Sequence, residues 1–178
     1  MAVGSAANSD TFKVTTPSDR EICLTRLFDA PRHLVFEAMS KPEHIRQWWG
    51  NLAEGYSVPV CEVDLRQGGA WRFVNRTPKG ELVAFYGVYR EIVPPERLVF
   101  TEIFEKFPDT ESVVTAVFTN EGGKTRLTVT ARYPSLDVRD MVIKSGMEKG
   151  AGISYDRLEE VARELELRAA GAGSTTLG

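Results

Sequence analysis

An α+β domain is predicted, with a curved antiparallel sheet of about seven strands in the order β-α-α-β6-α and a long C-terminal helix laid against it. Three observations predict it. From Val58 onward, apolar residues recur at every second position in a series of runs separated by turn-forming residues. Two short stretches with helical spacing precede those runs. One amphipathic stretch, from about Val138 to Leu167, follows them.

The first strand is EICLTRLF, residues 21–28, rich in β-branched and apolar side chains and closed by Asp29 and Pro31. In PRHLVFEAMS the proline suits a first helical turn, and Leu34, Val35, Ala38 and Met39 recur at helical spacing. KPEHIRQWWG repeats the arrangement on a second short helix ending at Gly50. The segments VPVCEVDL, AWRFVNR, LVAFYGVYREI, RLVFTEIF, SVVTAVFT and TRLTVTARY are then joined by QGG, TPKG, VPPE, PDTE and EGGK. Short turns between consecutive strands make the sheet an antiparallel meander.

On the last helix, Ile143, Met147, Ala151, Ser154, Leu158, Val161 and Leu165 fall on one stripe, with Lys149, Asp156, Glu159 and Arg163 opposite. Its N-terminal half is built from small residues, Ala151 and Ser154 flanked by Gly146, Gly150 and Gly152. Glycine costs roughly 1 kcal/mol relative to alanine inside a helix, so the run needs a reason. Close packing on the sheet and a cavity or entrance are equally consistent with it.

Length and charge bound the partners. The 178 residues, 42% hydrophobic, support one core, expected over 19–167 between disordered tails at 1–18 and 168–178 that are rich in Ser, Ala, Thr and Gly. The 22 basic and 25 acidic side chains give a net charge of −3 with no basic run, which argues against nucleic acid. No stretch approaches the roughly 20 apolar residues of a membrane span, and the N-terminus lacks a signal-peptide pattern, so a cytoplasmic setting is expected without membrane insertion. Cys23 and Cys61 are read as buried thiols, since no CxxC or neighbouring His completes a metal set.

Five ordered motifs carry a family resemblance: TRLFDAPRHLVFEAMSKPEHIRQWWG, GGAWRF, YGVYREIVPPERLVFTEIF, TRLTVTARY and SGMEKGAGISYDRLEEV. Together, over about residues 20–166, they resemble the activator-of-heat-shock-protein-ATPase-like (AHSA-type) branch of the START-like (SRPBCC) superfamily. The resemblance implies a helix-grip fold, in which the curved sheet grips the C-terminal helix and leaves a hydrophobic cavity between them. Many such relatives look to have a tryptophan after the glycine of the MEKG segment; here that position is Ala151, which implies a larger cavity or a more open entrance.

Alternation selects the lining. Trp71, Phe73 and Asn75 share one face of their strand while Arg72, Val74 and Arg76 share the other, so the aromatic set faces inward. Phe85, Gly87 and Tyr89 point together, as do Leu98, Phe100, Glu102 and Phe104. Phe36 and Trp49 from the short helices and Met147, Ala151 and Tyr155 from the long one complete a candidate ligand shell with few polar points.

Catalytic patterns are absent from the sequence: no GxSxG, HExxH or phosphate-binding loop occurs, and RQGGAW reads as a hairpin turn. His33 and His44 are expected to face solvent, and neither a metal nor a cofactor is called for. Asn75, Tyr89, Glu102 and Arg26 are the polar residues placed to enter the cavity. A buried ion pair between Glu102 and an arginine such as Arg26 is expected; the alternative is general acid/base work by Glu102 with its pKa raised.

The leading expectation is non-catalytic binding of a small hydrophobic molecule, aromatic, lipid or polyketide-like, by a carrier, sensor or sequestering protein. The alternatives are a cyclase- or dehydratase-type enzyme using Glu102 and Tyr89, and a chaperone-related protein-binding module. The last ranks lowest, because the resemblance covers only the domain shared with the activators and leaves no room for the additional N-terminal domain of the eukaryotic ones. Val74, Val88 and Val99 offer a candidate homodimer surface.

Overall fold

The computed structural model describes residues 11–173. Its core is one eight-stranded antiparallel sheet in the spatial order β1-β2-β8-β7-β6-β5-β4-β3. In chain order these are β1 Phe12–Thr15, β2 Glu21–Phe28, β3 Ser57–Val63, β4 Ala70–Arg76, β5 Leu82–Val93, β6 Arg97–Phe104, β7 Ser112–Glu121 and β8 Lys124–Arg132. Helices α1 Arg32–Ser40 and α2 Pro42–Ile45 interrupt the sheet after β2, and α3 Leu136–Lys144 and α4 Met147–Gly173 follow it.

Period-two sequences become strands whose alternate residues are buried. In β2 the buried set is Ile22, Leu24, Arg26 and Phe28; in β7 it is Ser112, Val114, Ala116 and Phe118. Tight turns carry each strand to the next, so β3 to β8 pair in sequence order, and β2 closes on β8 at the far side.

The architecture departs from expectation in four places. Residues 12–15 form an eighth strand inside the segment read as a tail, pairing Phe12 opposite Arg26, and α4 continues to Gly173, past the expected end at Leu167. The rest of the two expected tails, residues 1–10 and 174–178, lies outside the described residues. The C-terminal helix is broken: Gly146 adopts φ +81, a left-handed conformation that stops α3 and lets α4 start in a new direction. Helix α2 is one turn long, and residues 46–50 leave it as turns. Val74, on the outward face of β4, is 1% exposed and therefore unavailable as a dimer surface, whereas Val88 is exposed and Val99 half-buried.

Helix α4 is held to the sheet by apolar packing and by a clamp. Tyr155, Leu158, Val161 and Ala162 are buried, with the Tyr155 ring set edge-on to Phe12 and Phe28, each at 6.0 Å. Arg26, buried on the inner face of β2, donates to Asp156 at 2.7 Å and Glu159 at 3.0 Å. Glu159 also accepts the Asp29 backbone N–H at 2.8 Å. This overturns the expected pairing of Arg26 with Glu102: two carboxylates on α4 reach the guanidinium from directly above β2, and Glu102 lies three strands of the sheet order away on β6. Ile143, expected on the buried stripe, is exposed on α3 because the break at Gly146 turns that helix away.

Candidate ligand-binding cavity

Between the concave face of the sheet and α4 lies a cavity of about 770 Å³ with mainly apolar walls. The sequence explains why side chains leave it empty. Its ceiling is Gly150, Ala151 and Ser154 of α4, and part of its floor is Ala116 and Ala131, so small residues face one another where a compact core would have large ones. Gly87 makes room for the indole of Trp71, which lines the cavity. A Cβ there would lie 1.8 Å from the Thr101 carbonyl oxygen and 2.8 Å from the Trp71 indole nitrogen, and only glycine lets the Trp71 N–H donate to Thr101 O at 3.1 Å across the strand.

Strands β4, β5 and β6 supply a continuous line of rings. Tyr89 meets Phe100, Phe100 meets Trp71, and Trp71 meets Phe73, with centroids 6.1, 5.8 and 4.8 Å apart. From Phe73 the line passes to Trp49, Phe85, Phe104 and Phe107 at 5.3, 5.9, 5.0 and 5.6 Å. The register makes this possible by setting Phe73 opposite Phe85 and Phe85 opposite Phe104. Tyr89 is fixed by the RQGG turn, which gives the Gly68 N–H to Tyr89 O at 2.7 Å and takes the Tyr89 N–H on Gly69 O at 2.9 Å.

Of the thirteen lining residues expected from the sequence, the structure brings Trp49, Trp71, Phe73, Asn75, Phe85, Tyr89, Phe100, Glu102, Phe104, Met147, Ala151 and Tyr155 to the cavity wall. Phe36 is not there. It points from α1 into the adjoining core, edge-on to Phe118 at 5.2 Å, where α1 packs against α4 and β7. Arg26 is likewise absent from the wall, held by its clamp.

The polar side chains differ in what they have to do. Asn75 is committed: its amide donates to Asn51 O at 3.0 Å and Ser57 O at 2.9 Å and accepts from Asn51 N at 3.2 Å, tying down the loop that carries Trp49. Glu102 is uncommitted. It lines the cavity, makes no ion pair or side-chain hydrogen bond among the described residues, and burial pushes its pKa up to about 7. The phenols of Tyr133 and Tyr155 lie close enough to Glu102 for its charge to help burial raise their pKa values; Tyr89, the phenol expected to work with Glu102, is raised by burial and by Cys61 instead.

Several wall residues were missed: Tyr133, Ser112, Trp48, Phe107 and Arg157. Tyr133 and Ser112 carried a signal, since the alternation applied to β4 to β6 also runs Ser112, Val114, Ala116 on β7 and Val129, Ala131, Tyr133 at β8. Arg157 carried none: its Nη1 is buried without a hydrogen-bond partner, which depends on how α4 is rotated. His33 is exposed, but the His44 side chain is only 11% exposed and packs 3.5 Å from Glu37, against the expectation that it faces solvent. Cys61 is buried and Cys23 half-buried, both as free thiols. Among the described residues no group of His, Cys, Asp or Glu is placed to hold a metal ion, and no helix is long and apolar enough to cross a membrane.

The model of the family described as Activator of Hsp90 ATPase homolog 1-like protein matches residues 29–163. The chain belongs to this family. Solved structures with the same fold include a protein from Rhodobacter sphaeroides, 24% identical with a TM-score of 0.78, covering 86% of this chain and 99% of that one. A protein from Nitrosomonas europaea is 23% identical with a TM-score of 0.73, covering 84% and 98%. Protein Ms6760 from Mycobacterium smegmatis is 25% identical with a TM-score of 0.71, covering 84% and 96%. No curated protein matches the chain. The Activator of Hsp90 ATPase homolog 1-like family is part of the START-like superfamily, whose helix-grip fold commonly binds hydrophobic ligands. In this member the first helix, the sheet from β3 to β8 and most of α4 lie inside the matched residues, and with them all of the cavity wall but Ile22 and Leu24 of β2.

Proposed function

We propose that the protein holds a small, mainly apolar, ring-containing molecule in this cavity, as a carrier, sensor or sequestering protein without chemistry of its own. One observation carries the reading: an unbroken line of aromatic rings from Tyr89 to Phe107 borders about 770 Å³ of space that no side chain fills. That volume is within the roughly 300 to 1,000 Å³ of small-molecule sites, which are likewise mainly apolar with a few polar groups. Rings on the wall favour flat, ring-bearing occupants, because offset and edge-on contacts add to area burial.

Titration with lipids, flavonoids and polyketides, read by the fluorescence of Trp48, Trp49 and Trp71 on the cavity wall, tests this. A saturable change with at least one class is expected, and native mass spectrometry of the purified protein should show retained small-molecule mass. Absence of any saturable response and of any retained mass overturns the reading.

The carboxyl of Glu102 favours a second reading, an enzyme of cyclase or dehydratase type acting on a hydrophobic substrate in the same cavity. A carboxyl with its pKa near 7 exchanges a proton readily at neutral pH. Full turnover of an identified substrate by Glu102→Gln would remove it.

A further inference from the structure

Three adjacent strands end on the cavity floor with polar side chains in one row. Glu102 of β6 pairs with Ser112 of β7. Val113 pairs with Arg132 of β8, which sets Tyr133 beside Ser112 on the next rung. All three line the cavity, and Tyr155 of α4 lines it from the helix side. Elsewhere on these strands the inward positions are apolar: Leu98 and Phe100 on β6, Val114 and Ala116 on β7, Val129 and Ala131 on β8. Asn51, Asn75, Thr110, Ser145, Ser154 and Arg157 also line the cavity, so Glu102, Ser112 and Tyr133 are the polar set that β6, β7 and the end of β8 contribute to a mainly apolar wall.

Three of these groups, Glu102, Tyr133 and Tyr155, lack side-chain partners among the described residues. Tyr133 and Tyr155 are 9% and 7% exposed, and neither hydroxyl hydrogen-bonds to another described residue. The Glu102 carboxyl makes no hydrogen bond or ion pair among the described residues, and both phenols lie within reach of its charge. Ser112 is spoken for, its hydroxyl donating to Glu102 O at 3.4 Å. Buried polar groups are normally hydrogen-bonded, and one carboxyl with two phenols left open toward the same cavity is a set that an occupant completes.

We propose that this row is a recognition pole for a ring hydroxyl, so that the ligand is an aromatic or polycyclic alcohol or phenol with its hydroxyl between Glu102, Tyr133 and Tyr155. The proposal rests on the cavity being a ligand site. A hydroxyl fits because it has one donor and two acceptor lone pairs: it donates to the carboxylate while the phenols donate to it. A carbonyl would leave the ionised form of the carboxyl without a donor. An ammonium could donate to the carboxylate and the phenol oxygens, but it would bring a second positive charge into a cavity already lined by the guanidinium of Arg157. A ligand with no polar group would leave all three unmet.

The test compares 7-hydroxyflavone with flavone, and 2-naphthol with 2-methylnaphthalene and 2-(aminomethyl)naphthalene, by calorimetric titration of the full chain. The hydroxylated member of each pair is expected to bind about tenfold tighter or better, the discrimination of a hydrogen bond to a charged group. Tyr133→Phe, which deletes only an oxygen, and Glu102→Leu should each bring the hydroxylated and plain probes to within about twofold, with flavone affinity retained. Equal affinity for the paired probes in the parent protein, survival of the ratio in both variants, or tighter binding of the amine overturns the hydroxyl pole and leaves the cavity reading standing. No binding by any of the five probes overturns the hydroxyl pole, and the cavity reading falls with it where the lipid and polyketide titrations and native mass spectrometry are equally blank.

Discussion

The carboxyl of Glu102 sits where a sheet residue alternates inward and makes no ion pair among the described residues. An ordinary carboxyl of this kind titrates near 4.5, and burial moves this one up to about 7. Between those values the folded protein holds a proton that the unfolded chain has lost. Stability contributed at this position is therefore unpenalised below about pH 4.5 and falls as pH rises toward and through 7. The shift corresponds to at most about 3 kcal/mol. Glu102→Gln removes the titration, so urea unfolding should show the variant gaining about 2 kcal/mol on the parent between about pH 5 and pH 8. Parallel pH profiles would mean that the carboxyl is solvated as an ordinary surface group. Tyr133 and Tyr155 stay neutral throughout this window, their pKa values being raised by burial and by Glu102 itself.

Among the elements, α4 decides whether a cavity exists, since its rotation places Gly150, Ala151 and Ser154 over the sheet. Apolar packing through Leu158 and Val161 fixes its second half, and the Arg26 clamp fixes the turn between. The two acids of the clamp are unequal. Asp156 is 68% exposed, and an exposed partner of this kind is worth under about 1 kcal/mol. Glu159 is 24% exposed and holds both Arg26 and the Asp29 N–H that begins the turn into α1. Thermal or denaturant unfolding should therefore rank Glu159→Ala, at about 2 kcal/mol, well above Asp156→Ala. Equal costs would mean that the helix is seated by packing alone. The Gly146 break was not legible from the amphipathic stripe, because the 3.6-residue period continues across it; only the positive φ marks the change of direction.

For the molecule as a whole, the space left open depends on what α4 presents to the sheet, and Ala151 is one of the small residues on that wall. Ala151→Trp would fill the ceiling beside Met147 and Tyr155. It is expected to weaken binding of whatever occupant the titrations identify by at least about tenfold, while the melting temperature stays the same or rises as buried apolar area is gained. Unchanged affinity in a folded variant would place the ligand elsewhere.

Seven of the eight strands, the inward aromatic residues of β4 to β6 and the family were readable along the chain, because alternation is a local property and five motifs in order are hard to imitate. Tertiary structure alone decided which acid meets Arg26, that Phe36 turns into the neighbouring core, and that Glu102, Ser112 and Tyr133 share a row. Those outcomes depend on strand register and helix rotation. Contacts between residues far apart in sequence set both, so no single segment encodes them.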